Sequence, residues 1–130
     1  MLEIANLTKQ KIDENLLKNA ATKALAILGT RGLEEISLVL AGETKIKALN
    51  RKYLKRNRVT DVLSFEGLNE IFICVPEAAR HSKLLKTSLN SELTRLLVHG
   101  IVHLKGYGHE GLKQGAKRME KIENKILNNV

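Results

Sequence analysis

The chain has 130 residues, enough for one domain with a real core and no need of disulfide or metal staples. Hydrophobic residues make up 43% and aromatics only 3%, so the core is expected to be Leu, Ile, Val and Ala; the single cysteine excludes an internal disulfide framework, and no apolar run reaches bilayer length. A formal net charge of +8 favours anionic partners such as nucleic acid, the ribosome or an acidic membrane face, against the plainer alternative of a basic protein with no specific anion site.

Residues 2–5 fit a short first strand. Met1 to Asn6 has no basic region followed by an apolar block, so no secretory signal is expected, and the lone Cys74 suits a reducing cytoplasm. From Thr8 to Leu28 the residues Ile12, Leu16, Leu17, Ala20, Ala24, Leu25 and Leu28 recur at helical spacing, and Gly29 supplies a stop. Residues 35–41 alternate as a strand that Gly42 punctuates, and Thr44 to Tyr53 is helical with Ile46, Leu49 and Tyr53 on one side. Val62–Phe65 and Ile71–Val75 form two further strands, joined through residues 66–69 as a hairpin. Pro76 opens a short helix from Glu77 to about Ser82, and 83–88 is a loop. Two longer helices follow, over Asn90–Leu104 and Lys113–Leu127. The expected architecture is α+β, a single domain with a small mixed four-stranded sheet packed with about five helices.

His99 and His103 stand four residues apart on the first of those long helices, so both imidazoles share one face and can grip one ion. Gly106 then turns the chain and brings His109 back as a third ligand. Three neutral imidazoles leave a fourth position for water, the form of a catalytic zinc site rather than a closed structural one. Tris-histidine ligation also suits other first-row ions. The frame H-x-x-x-H-x-x-G-x-x-H matches the spacing of metzincin proteases, but the residue after the first His, which is the general base Glu in those enzymes, is Gly100 here. A peptidase reading therefore fails at its central step.

His-Gly-Ile-Val-His-Leu-Lys-Gly-Tyr-Gly-His over 99–109 resembles the H-G-x-L-H-L-x-G-Y-D-H motif of the YbeY family of bacterial endoribonucleases. Thr60-Asp61-Val62-Leu63-Ser64-Phe65 matches that family's T-D-V-L-S-F block, Asn50 and Tyr53 stand at the expected distance before it, and Asn69–Ile73 resembles its G-D-I-x-I strand. The resemblance spans roughly residues 35–127. It implies a zinc held by His99, His103 and His109 and a metal-dependent endonuclease for single-stranded RNA. The implied role is rRNA 3′-end maturation and ribosome quality control, with small-subunit components as partners. Three positions depart from the family pattern: Gly108 replaces an Asp, Leu54 an Arg and Glu66 a Pro. The first removes a carboxylate that orients a ligand, and the second a planar, bidentate cation.

Lys45, Lys47, Arg51, Lys52, Lys55, Arg56 and Arg58 run without an acidic residue among them. Alone this is a solvated helix face; beside a metal it is a phosphate track, for which Arg51, Lys55, Arg56 and Arg58 are the RNA-binding candidates. The shortage of aromatics argues against recognition by base stacking. Asp61 either orients a ligand histidine or fixes a loop before its strand. His81 is read as an exposed helix-end histidine, Cys74 as a buried small hydrophobe, and Glu120 and Glu123 as surface partners of nearby lysines. Ser64 has no Ser-His-Asp arrangement, and no general base is assigned. The function expected is a zinc-dependent endoribonuclease in the cytoplasm; the alternative is a zinc-containing ribosome assembly or RNA-binding factor with little hydrolysis of its own.

Overall fold

The computed structural model describes residues 1–55, 60–107 and 112–130. Among them the order is β1 (Leu2–Asn6), α1 (Glu14–Leu28), β2 (Ile36–Ala41), α2 (Glu43–Leu54), β3 (Val62–Phe65), β4 (Glu70–Cys74), α3 (Val75–Leu85), α4 (Leu89–Leu104) and α5 (Leu112–Leu127). The four strands form one mixed sheet in the order β1-β2-β4-β3, parallel except for the β3–β4 hairpin. Five helices and four strands agree with the α+β expectation. No described helix is long and apolar enough to cross a membrane.

Two expected boundaries move. The first helix begins at Glu14 rather than Thr8, because the preceding residues spend their hydrogen bonds locally. The Thr8 amide donates to Asn6 Oδ1 and the Gln10 amide to Thr8 Oγ1, a side-chain pattern that competes with a helical ladder. Asp13 then caps the helix, its carboxylate accepting from the Leu16 amide at 3.1 Å. The third helix runs on to Leu85, so the loop expected over 83–88 is confined to 86–88. Its last turn carries Leu84 and Leu85 largely exposed, which breaks the amphipathic pattern that marks a helix in sequence.

Strand alternation gives the sheet two apolar faces. Ile36, Leu38, Leu40, Ile71 and Ile73 face α1 and α4 in the main core, while Leu63, Phe72 and Cys74 join Ile46 of α2 in a smaller core on the other side. Burial raises the Cys74 thiol to about 11, as a buried small hydrophobe requires. Helix α4 is the central piece: ten of its sixteen residues are buried, and it touches α1, α3, α5, β3 and β4. It lies so close to the sheet that a Cβ at Gly100 would come within 3.0 Å of two Ile71 carbons and 3.2 Å of Ser64 Oγ. The glycine at the position where zinc proteases carry their base is thus a packing requirement. A glutamate there would enter the core.

Substituting Gly100→Ala tests this seat. Helix propensity alone would add about 1 kcal/mol of stability. Overpacking against Ile71, which is fully buried, costs about 1–3 kcal/mol. The net expectation is a loss, read as a lower urea midpoint with unchanged slope; a raised midpoint would show that the helix has room.

Candidate metal centre

A cleft of about 260 Å3 lies beside β3, the strand at one end of the sheet. Asn50 and Leu54 of α2 form one wall, Thr60, Val62, Leu63 and Ser64 the floor, and His99 and His103 of α4 the other wall. The two imidazoles lie nearly parallel, with ring centroids 6.5 Å apart and an interplanar angle of 13°. One helical turn separates them, and Gly100 between them lets α4 approach close enough to present both to the cleft.

His99 is held from behind. Its Nδ1 is 2.7 Å from Glu123 Oε1 on α5. That hydrogen bond is the main cause of a pKa above the ordinary histidine range, with burial opposing it. A Nδ1–H donated to a carboxylate leaves the lone pair on Nε2, the arrangement typical of a histidine that ligates a metal. Met119 and Ile126 are buried and Ile122 half-buried, so the apolar stripe of α5 lies on the core and carries Glu123 with it. The expectation that Glu123 pairs with surface lysines is therefore corrected: its partner is 24 positions away in sequence. The sequence signal was its place beside Met119, Ile122 and Ile126. Glu120, on the outer face, is exposed.

The donor set fits a divalent ion. Two imidazoles share one cleft, and a carboxylate fixes the tautomer of one of them. Among the described residues no third His, Cys, Asp or Glu completes a metal-holding group with them. His109, the expected third ligand, and Gly108 lie outside the described residues.

Of the expected RNA-binding residues, Arg51 and Lys55 are exposed on the last turn and cap of α2, next to the cleft residues Asn50 and Leu54. Arg56 and Arg58 lie outside the described residues. Ser64 lines the cleft, and no Asp is among the described residues that line it.

A charged cluster adjoins the cleft on the same face of α4. Glu92, 2% exposed, accepts from Arg95 Nε at 2.8 Å and Arg95 NH2 at 2.7 Å. His81 of α3 comes within 3.5 Å of Glu92 and 3.8 Å of Asp61 through its Nδ1. His81 is thus a half-buried member of a carboxylate cluster rather than an exposed helix-end histidine. Asp61 faces His81, and its backbone carbonyl accepts from the Cys74 amide at 2.8 Å, fixing the entry to β3. Sequence spacing offers no signal for this cluster, since its members come from three separate elements.

The family described as Endoribonuclease YbeY matches residues 3–130 of the chain. Similar proteins named Endoribonuclease YbeY include one from Aquifex aeolicus, 35% identical over 95% of this chain and 88% of that protein. Another, from Ruthia magnifica, is 34% identical over 98% of this chain and 94% of its own length. The solution structure of a Thermotoga maritima protein superposes with a TM-score of 0.69 at 27% identity, covering 98% of this chain and 87% of that one.

The Glu92 carboxyl is held below the ordinary glutamate range, chiefly by its hydrogen bond to Arg95. A carboxyl whose folded pKa is depressed adds stability above its unfolded value, about 4.3, and loses it as the pH falls through the folded value. Glu92→Gln is therefore expected to cost about 1–2 kcal/mol at neutral pH, the low end for a charge-assisted pair because Arg95 is partly solvated. The difference from the parent protein should shrink in urea melts below about pH 4. A gap that stays constant with pH would exclude this account.

Proposed function

Because the chain belongs to the YbeY endoribonuclease family, we propose that it is a metal-dependent endonuclease for single-stranded RNA. We further propose that it acts in rRNA 3′-end maturation and ribosome quality control, with small-subunit components as partners, in the cytoplasm. The observation that carries the chemistry is the His99–His103 pair in a cleft, with Glu123 bonded to the rear nitrogen of His99.

In this reading His99, His103 and His109 hold one zinc ion. The bound ion supplies Lewis acidity at the phosphoryl group. The protein's own residues do the rest. Glu123 keeps Nδ1 of His99 protonated and its Nε2 turned to the ion, and disperses the positive charge that ligation places on the ring. Arg51, Lys55, Arg56 and Arg58 bind phosphates on either side of the scissile bond, holding the strand along the cleft. Thr60 and Ser64 on the cleft floor offer hydroxyls to the sugar-phosphate backbone, a polar lining that a flexible single strand can reach and a paired one cannot.

Metal analysis and RNA cleavage test the proposal together. The purified protein is expected to carry about one zinc per chain and to cut single-stranded rRNA, and His103→Ala to lose both. Glu123→Ala should retain the fold and bind zinc roughly 10- to 100-fold more weakly. Equal cleavage by the parent and His103→Ala would sink the nuclease mechanism. RNA binding without any cleavage by the zinc-loaded protein would favour an assembly factor. Arg51→Ala and Lys55→Ala should each weaken RNA binding and flatten its dependence on log salt by about 0.7.

A further inference from the structure

Only four aromatic residues occur in the chain, and three of them meet on the α2 face of the sheet. Tyr53 packs edge-on against Phe65, with centroids 5.5 Å apart at 68°, and Phe65 packs edge-on against Phe72 at 5.7 Å and 83°. They border a cavity of about 160 Å3 whose other lining residues are Leu49, Leu68 and Glu70. Tyr53 is 55% exposed, and Lys52 Nζ stands 5.3 Å from its ring centroid.

This cavity and the metal cleft are lined by neighbours along the chain. Leu54, next to Tyr53, and Ser64, next to Phe65, both line the cleft. Ser64 and Phe65 point to opposite faces of β3, while Leu63, which also lines the cleft, shares the face of Phe65. A strand of RNA held in the cleft by α2 cations therefore has a neighbouring nucleotide within reach of the aromatic face.

The walls fit a nucleobase. Aromatic rings supply stacking partners, and Lys52 places a positive charge where the phosphate of the same nucleotide would lie. Glu70 sits directly opposite Phe65 in the β3–β4 register, so both side chains share one face. Its carboxylate makes no hydrogen bond to a described residue. A carboxylate only accepts hydrogen bonds, so it selects a base edge rich in N–H donors. Guanine, with N1–H and N2–H side by side, matches both oxygens; uracil, with one N–H between two carbonyls, does not.

We propose that this cavity binds one base of the RNA substrate, stacked on the exposed Tyr53, which Phe65 supports edge-on, and read by Glu70, with guanine preferred over uracil. The inference rests on the endoribonuclease reading for its substrate class.

The test uses the zinc-loaded full chain and fluorescence anisotropy with short 2′-O-methyl strands, so that affinity is read apart from turnover. Three strands serve: alternating G and U, U alone, and an abasic strand of the same length. The parent protein should bind the G-containing strand most tightly. Tyr53→Ala should weaken that binding roughly 5- to 100-fold, leave the abasic strand unaffected, and keep the salt dependence of the parent. Tyr53→Phe should restore affinity, and Glu70→Gln should erase the preference for G. Phe65→Leu, which keeps an apolar filling, gives a second loss of stacking if Tyr53→Ala is unstable in thermal melts. Unchanged affinity in Tyr53→Ala and Phe65→Leu, in a parent that still cuts RNA, overturns the base site alone, as a protein-docking cavity would. A parent that neither binds nor cuts RNA overturns both this inference and the endoribonuclease reading.

Discussion

The contact between Gly100 and Ile71 sets the geometry of the molecule. It lets α4 lie against β3 and β4 so closely that even a methyl group at this position would press on Ile71 and Ser64. Because α4 is fixed there, its outer face presents Glu92, Arg95, His99 and His103 in one line beside the sheet edge. Each of the elements α1, α3 and α5 then packs on what remains of α4. The start of α1 is tied in as well, since the Asp13 amide donates to Asn90 Oδ1 at 3.1 Å.

The polar line on α4 is supported at both ends by different helices. Helix α3 brings His81 to Glu92 and Asp61, which holds the entry to β3. Helix α5 brings Glu123 to His99. The cleft is therefore bounded on the α4 side by His99, whose orientation is already fixed by its hydrogen bond to Glu123. A site arranged in this way spends little binding energy on ordering side chains when substrate arrives.

Much of this was legible in sequence where the signal is periodic or local. The helices and strands followed from spacing, the hairpin from the short link over 66–69, where the structure finds positive φ at Gly67 and Asn69, and the histidine pair from its i,i+4 interval. The errors fell where side chains competed with the helical ladder, at Thr8 to Asp13, or where an exposed Leu84–Leu85 turn hid a helix end. The charged cluster, the aromatic cavity and the pairing of Glu123 with His99 were not legible, because each depends on the register between separate elements; for Glu123 only its place beside the apolar stripe of α5 could be read. Composition counts aromatic side chains but does not say that three of the four meet.

The place of β3 at the end of the sheet has a consequence for how copies of the protein treat one another. A strand bonded on one side is a template for another chain, and such edges drive self-association. Here the edge is only four residues long and opens beside the exposed Arg51 and Lys55. Two copies meeting at this edge would each bring a net charge of +8, and their repulsion opposes fibre-like pairing. A polyanion meets the opposite force. The same charge distribution that guards a vulnerable edge against its own kind draws nucleic acid to it.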